Sequence, residues 1–168
     1  MKESRLFELL KAHQLKIATA ESCTGGLVAS RLCDISGISS YFEEGYVVYS
    51  ENAKMKNLEV SKDTLEKYGV VSIETAIEMA KGAAKRANAE CAIATTGVAG
   101  PTGGTDENPV GTVCFGCVVN GQEFSERRVF EGNRMEVRMQ AAVFALESVP
   151  SSSAPQSYAR VTDLSTTS

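Results

Sequence analysis

The chain has 168 residues, 43% of them hydrophobic, with a formal net charge of −4 at pH 7. A domain of this size buries about 70% of the surface its unfolded chain exposes, so it can fold without disulfide or metal staples. The acidic balance removes the general electrostatic reason for holding nucleic acid, and no apolar run approaches the roughly 18 residues of a membrane-spanning helix.

Leu6, Leu9, Leu10 and His13 recur at three- and four-residue spacing, which predicts an amphipathic helix over residues 2–13 leading into a strand at 15–20. That strand delivers Thr19-Ala20-Glu21-Ser22-Cys23-Thr24-Gly25-Gly26, three adjacent nucleophile-capable side chains followed by a glycine pair. The glycines permit a tight bend, and Leu27, Val28, Leu32 and Ile35 then mark one face of a second helix. Residues 45–49 form a β-rich run, and Ser50-Glu51-Asn52 caps a short helix carrying Lys54. A further short helix is expected from Ser61 to Tyr68, ended by Gly69.

Ser72 caps a longer helix whose Ile73, Ala76, Ile77, Ala80 and Ala84 form its buried side. Residues 91–94 read as a short buried strand that delivers Thr95-Thr96-Gly97 and a glycine- and proline-rich loop over 98–109. A loop of that length in a compact domain is more often functional than idle. Strands at 110–119 and 123–130 are joined by Asn120-Gly121, the strongest short-range hairpin signal. Asn133 and Glu136 open a last helix with Val137, Ala141, Phe144 and Ala145 facing the core. The fold class predicted is α/β: a three-layer α/β/α sandwich around a mixed sheet that includes an antiparallel hairpin. One domain is expected over residues 1–149, and the serine- and threonine-rich residues 150–168 read as a flexible tail.

The five cysteines, Cys23, Cys33, Cys91, Cys114 and Cys117, form an odd set with no secretory segment ahead of them, and read as reduced thiols of a cytoplasmic protein. Cys114 and Cys117 make a CxxC inside a valine-rich strand with no second ligand pair to complete a zinc site, so they are assigned to the core. No metal and no cofactor are expected.

Ser22, on a strand-to-helix turn, presents its hydroxyl at the carboxyl end of a strand, where main-chain N–H groups of the following helix are available to an oxyanion or a phosphate. The plainer alternative is that Ser22 or Thr24 caps the helix. Cys23 is the rival nucleophile, intrinsically the sharper one. The only histidine, His13, sits in the packing helix, which leaves a lysine as the base. Lys54 fits if burial lowers its pKa from about 10.4, and Tyr49, five residues earlier, can complete a hydroxyl, phenol and amine relay. Against this, most lysines are solvated surface charges and most strand tyrosines pack. The loop Gly100-Pro101-Thr102-Gly103-Gly104-Thr105 can wrap an anion but matches neither nucleotide fingerprint. Arg134 and Arg138 can clamp a phosphate or make surface ion pairs.

Taken together, residues 19–26, Gly45 to Ser50 with Lys54 behind it, Thr96 to Gly104, Pro109 to Val113 and Gly132-Asn133-Arg134 resemble the CinA carboxy-terminal domain family, in order from about residue 4 to residue 148. The resemblance implies an α/β/α sandwich and, from stand-alone members, hydrolysis of the carboxamide of nicotinamide mononucleotide to nicotinate mononucleotide and ammonia. It makes Ser22 the nucleophile and Tyr49 and Lys54 its activating partners, and it places Thr24, Gly25, Gly26, Thr96, Gly97, Gly103, Gly104 and Arg134 at a small-molecule nucleotide. A homo-oligomer is expected. The family's usual Asn-Glu ahead of the Ala-Lys pair appears here as Glu51-Asn52, and Lys56 competes with Lys54 for the role of base. The rival from another class is a nucleotide-binding module without catalysis, tied to competence or DNA damage.

Overall fold

The computed structural model describes residues 2–150, with side chains from Arg5 onward, so the tail predicted from the sequence lies outside the described residues except for Pro150. In chain order the elements are α1 (Lys2–His13), β1 (Ile17–Glu21), α2 (Leu27–Cys33), β2 (Phe42–Val47), α3 (Glu51–Leu58), α4 (Lys62–Tyr68), α5 (Ile73–Ala87), β3 (Cys91–Gly97), β4 (Thr112–Val119), β5 (Gln122–Val129) and α6 (Arg134–Glu147). The strands form one open sheet in the order β2-β1-β3-β4-β5. β1 runs parallel to both β2 and β3, whereas β4 and β5 are antiparallel additions. The α/β sandwich with a mixed sheet is therefore as predicted.

Strand side chains alternate between faces, and here the two faces differ in bulk. Ile17, Ile93, Val113 and Phe115 join α1, α2 and α6 in one core, while Ala18, Ala20, Ala92 and Ala94 join α3, α4 and α5 in the other. The small side chains let α5 lie unusually near the sheet: a methyl group on Gly116 of β4 would stand 2.3 Å from the Ala76 carbonyl oxygen. On its other flank α5 meets α3 through Gly82, where a methyl group would stand 2.0 Å from the Leu58 carbonyl oxygen. The position of α3, and of Lys54 on it, is thus fixed by main-chain contact.

The predicted caps form as the sequence indicates: Ser50, Ser72 and Asn133 each accept a hydrogen bond from the amide three residues on. Ser61, expected as the first residue of its helix, is instead the cap of α4 and accepts from the Thr64 amide. Asn120 and Gly121 both adopt positive φ, as the hairpin requires. Strand boundaries differ from expectation. β2 begins earlier and ends at Val47, so Val48 and Tyr49 leave the sheet and turn into α3. β3 runs on to Gly97, because Thr95 and Thr96 pair with Phe115 and Cys114. β4 starts at Thr112, after a turn through Gly111 at φ +97°. His13, placed by periodicity on the packing stripe, is exposed in the last turn of α1. Cys23, Cys91, Cys114 and Cys117 are buried free thiols, and Cys33 is an exposed one.

Candidate active site

Because β1 and β2 are parallel, with Glu21 opposite Val47, both strands leave the sheet at the same edge. Their exits bring Ser22 and the start of α3 together. The Val48 amide donates to the Glu21 carbonyl at 2.9 Å, prolonging the pairing by one bond before the chain turns. Ser50 caps α3, and one turn along it Lys54 points back toward the sheet with only 1% of its surface exposed. Its Nζ lies 3.0 Å from Ser22 Oγ, 2.9 Å from the Val48 carbonyl oxygen and 3.2 Å from that of Tyr49. Burial pushes the Lys54 amine below the ordinary lysine range, with Cys23 and, more weakly, the Glu51 carboxylate acting in the opposite direction. The amine donates to all three oxygens, and the Ser22 hydroxyl in turn donates to the Tyr49 carbonyl at 3.4 Å. A lysine that loses one proton can keep its two remaining N–H bonds on the carbonyls and turn its lone pair to the Ser22 hydroxyl, which is the relation of a base to a nucleophile.

The residue that sequence reasoning missed is Glu21. Its side chain is 1% exposed. It accepts hydrogen bonds from Thr24 Oγ1 at 2.6 Å and from the amides of Gly26, Val28 and Ala29 at 3.2, 2.8 and 3.1 Å. The carboxylate therefore fills the amino end of α2 from inside the protein. Thr24 gives its only hydroxyl proton to Glu21, so Thr95, whose Oγ1 is 2.7 Å from that of Thr24, is the donor in the second link. Three of the residues expected at the substrate are placed away from the cavity over Ser22. Thr24 is fully buried in this network, the Gly25 amide donates to the Ser22 carbonyl, and the Gly26 amide is committed to Glu21. None of the three forms the wall of the cavity over Ser22.

That cavity has a volume of about 420 Å³, ample for a mononucleotide. Ser22 and Lys54 lie in its wall with Thr96, Gly97, Gly103 and Arg134, whereas Gly104 is set back against the Val110 amide. Thr96 Oγ1 donates to the Val70 carbonyl at 2.8 Å. The Tyr49 phenol does not meet Lys54. It is 60% exposed and accepts a 3.0 Å hydrogen bond from Arg134, which also donates to the Gly100 carbonyl at 2.8 Å. The contact with Lys54 comes from the Tyr49 main chain instead. Arg138 is neither a surface ion pair nor a phosphate clamp here: it donates to the Cys23 and Thr24 carbonyls at 3.0 and 3.1 Å, tying α6 to the turn. Lys56 is exposed and His13 lies outside the cavity wall. Cys23 reaches the cavity, but burial pushes its thiol up to about 12, which leaves it protonated and a poor nucleophile near neutrality. Among the described residues no three His, Cys, Asp or Glu side chains converge as metal ligands would, and no helix is long and apolar enough to cross a membrane.

Residues 1–152 match the CinA C-terminal domain family. The chain belongs to that family. As a CinA domain it is similar to a CinA-like protein of Kosmotoga olearia, 50% identical over 147 residues that make up 88% of this chain and 36% of the relative. It is also similar to a putative competence-damage inducible protein of Clostridioides difficile, 51% identical over 139 residues, 83% of this chain and 33% of that one. This CinA domain thus spans about a third of the length of these curated relatives. Among solved structures, a competence-damaged protein (CinA) superfamily protein from Escherichia coli superposes with a TM-score of 0.83 at 44% identity, covering 86% of this chain and 84% of that one. The competence/damage inducible protein CihA from Agrobacterium tumefaciens gives 0.81 at 39% identity, covering 87% and 92%.

Proposed function

We propose that this CinA domain is a serine amidohydrolase that removes the carboxamide nitrogen of nicotinamide mononucleotide as ammonia. The observation that carries this reading is the buried Lys54 amine 3.0 Å from Ser22 Oγ, with both groups in the wall of an open cavity. Lys54, neutral, takes the Ser22 proton as Oγ bonds to the amide carbon. The tetrahedral oxyanion is held by main-chain N–H groups. Those of Gly26, Val28 and Ala29 are committed to Glu21, whereas the cavity-lining Cys23, Ala99, Gly100, Thr102 and Gly103 have amides with no main-chain partner among the described residues, and the oxyanion donors come from this set. A single such donor is commonly worth about 10²- to 10³-fold in rate.

Collapse of that intermediate breaks the C–N bond while the Lys54 ammonium returns the proton to the departing nitrogen. An ester of Ser22 remains. Water then attacks it with Lys54 again as base, and collapse returns the proton to Ser22 Oγ and releases the carboxylate. Arg134, at the cavity mouth with N–H groups beyond those given to Tyr49 and Gly100, takes the phosphate. The Tyr49 phenol holds Arg134 in place and stands outside the proton path.

The test is ammonia release from nicotinamide mononucleotide by the purified protein in the presence of a chelator, with Ser22→Ala and Cys23→Ala alongside. Turnover should fall by at least about 10³-fold in Ser22→Ala and survive in Cys23→Ala. An active Ser22→Ala overturns the mechanism. A folded wild type that binds the mononucleotide without releasing ammonia moves the function to the non-catalytic binding module.

A further inference from the structure

The cavity over Ser22 carries an uneven set of charges. Lys54 is buried in its wall and Arg134 stands at its mouth, yet only one side chain in the wall is acidic, Glu51. Glu51 is the first residue of α3, one helical turn before Lys54, and its influence on the Lys54 amine places the two groups in one electrostatic neighbourhood. Among the described residues its carboxylate has no ion pair and no hydrogen bond. Glu51 is exposed and, in the first turn of α3, complements the helix dipole, and it also forms part of the wall that holds Ser22 and Lys54.

The geometry points to Glu51 as a specificity residue that selects a carboxamide carried on a positively charged aromatic ring over the same carboxamide on a neutral ring. The inference rests on the amidase reading above and adds to it the charge state of the substrate. In a nicotinamide nucleotide the quaternised ring nitrogen and the carboxamide-bearing carbon are separated by a single ring carbon. A carboxamide placed at Ser22 Oγ therefore brings a fixed positive charge close to Lys54. That charge opposes a protonated lysine and is offset by the carboxylate on the same wall. The phosphate, at the other end of the molecule, is taken by Arg134, so the wall offers one acid, a helical turn from Lys54, and one guanidinium to a molecule that carries one positive ring and one anionic phosphate. The dihydropyridine form has the same size, amide and phosphate but no ring charge, and it gains nothing from Glu51.

The experiment measures binding of the oxidised and the reduced nicotinamide mononucleotide by calorimetry, in a Ser22→Ala background that cannot turn them over. The oxidised form should bind about threefold to tenfold more tightly, the range expected for a partly solvated charge pair. In Ser22→Ala/Glu51→Gln that preference should vanish through weaker binding of the oxidised form, with the reduced form unchanged within about twofold and the melting temperature retained. Ser22→Ala/Glu51→Asp, which keeps the charge, should retain most of the preference, and 0.5 M salt should shrink it in the parent. An undiminished preference in Glu51→Gln overturns the inference and leaves the amidase reading standing, as does equal binding of both forms by the parent. If the parent binds neither mononucleotide, the substrate proposed above falls and this inference falls with it.

Discussion

Lys54 is the residue on which the chemistry turns, because a base must lose its proton to act. Burial lowers its pKa below the ordinary value, and Cys23 and Glu51 oppose that shift. Activity should therefore rise with pH along a single limb whose midpoint lies below the ordinary lysine value of about 10.4, and be lost on the acid side, where Lys54 is charged. Ammonia release across a pH series reads this directly, and in Glu51→Gln the limb should move to lower pH. Lys54→Arg, which keeps a cation that cannot deprotonate, should cost at least about 10³-fold at every pH. Ser22 and Lys54 were legible in the sequence because a nucleophile on a strand-to-helix turn and a lysine behind a serine cap both have local signatures. Glu21 was not legible. Three of its four donors are main-chain amides, which leave no mark in the sequence, and an acid at the end of an apolar run resembles any polar strand terminus.

Helix α2 depends on that carboxylate more than on any side-chain cap, for its own cap residue, Gly26, supplies none. Glu21→Ala leaves three amides and a threonine hydroxyl without their acceptor in a buried place, and should cost about 3 kcal/mol of stability in denaturant unfolding. Helix α5 makes a second prediction of unusual sign. Glycine to alanine inside a helix ordinarily stabilises by roughly 0.5–1 kcal/mol. At Gly82 the added methyl would collide with the Leu58 main chain, so Gly82→Ala should lose about 2 kcal/mol, roughly 5 °C in melting temperature. Because the carbonyl it strikes closes α3, the same variant should lower activity in protein that remains folded. Caps and the Asn120-Gly121 turn made the starts of most elements readable. Strand ends were misplaced because they are set by partners across the sheet: β3 is carried on to Gly97 by β4, a neighbour remote from its own sequence.

At the scale of the whole molecule, the groups of the candidate site come from both helical layers. Ser22 leads into α2 and Arg134 opens α6 on one face, while Lys54 belongs to α3 on the other. Ammonia release and helical circular dichroism should consequently be lost in one coincident thermal transition; activity vanishing well below the main transition would mean the layers come apart separately. The layer class could be read from the alternation of elements. The strand order could not, because nothing local to β2 says that it pairs with β1 at an edge. The unequal bulk of the two faces was visible as alanines but acquired meaning only once Gly116 was found against α5.

The bond from the Val48 amide to the Glu21 carbonyl joins two segments that carry the reacting atoms one and six residues beyond it. Strand pairing advances in steps of about 3.3 Å, longer than the hydrogen bond between Ser22 and Lys54. A slip of β2 against β1 by a single residue would therefore separate hydroxyl from amine by more than the whole distance over which a proton can pass. Turnover in this protein is in that sense a vernier on its own folding: a chain that has collapsed with every helix formed but one strand misaligned would look native to most spectroscopic probes and be silent in the assay.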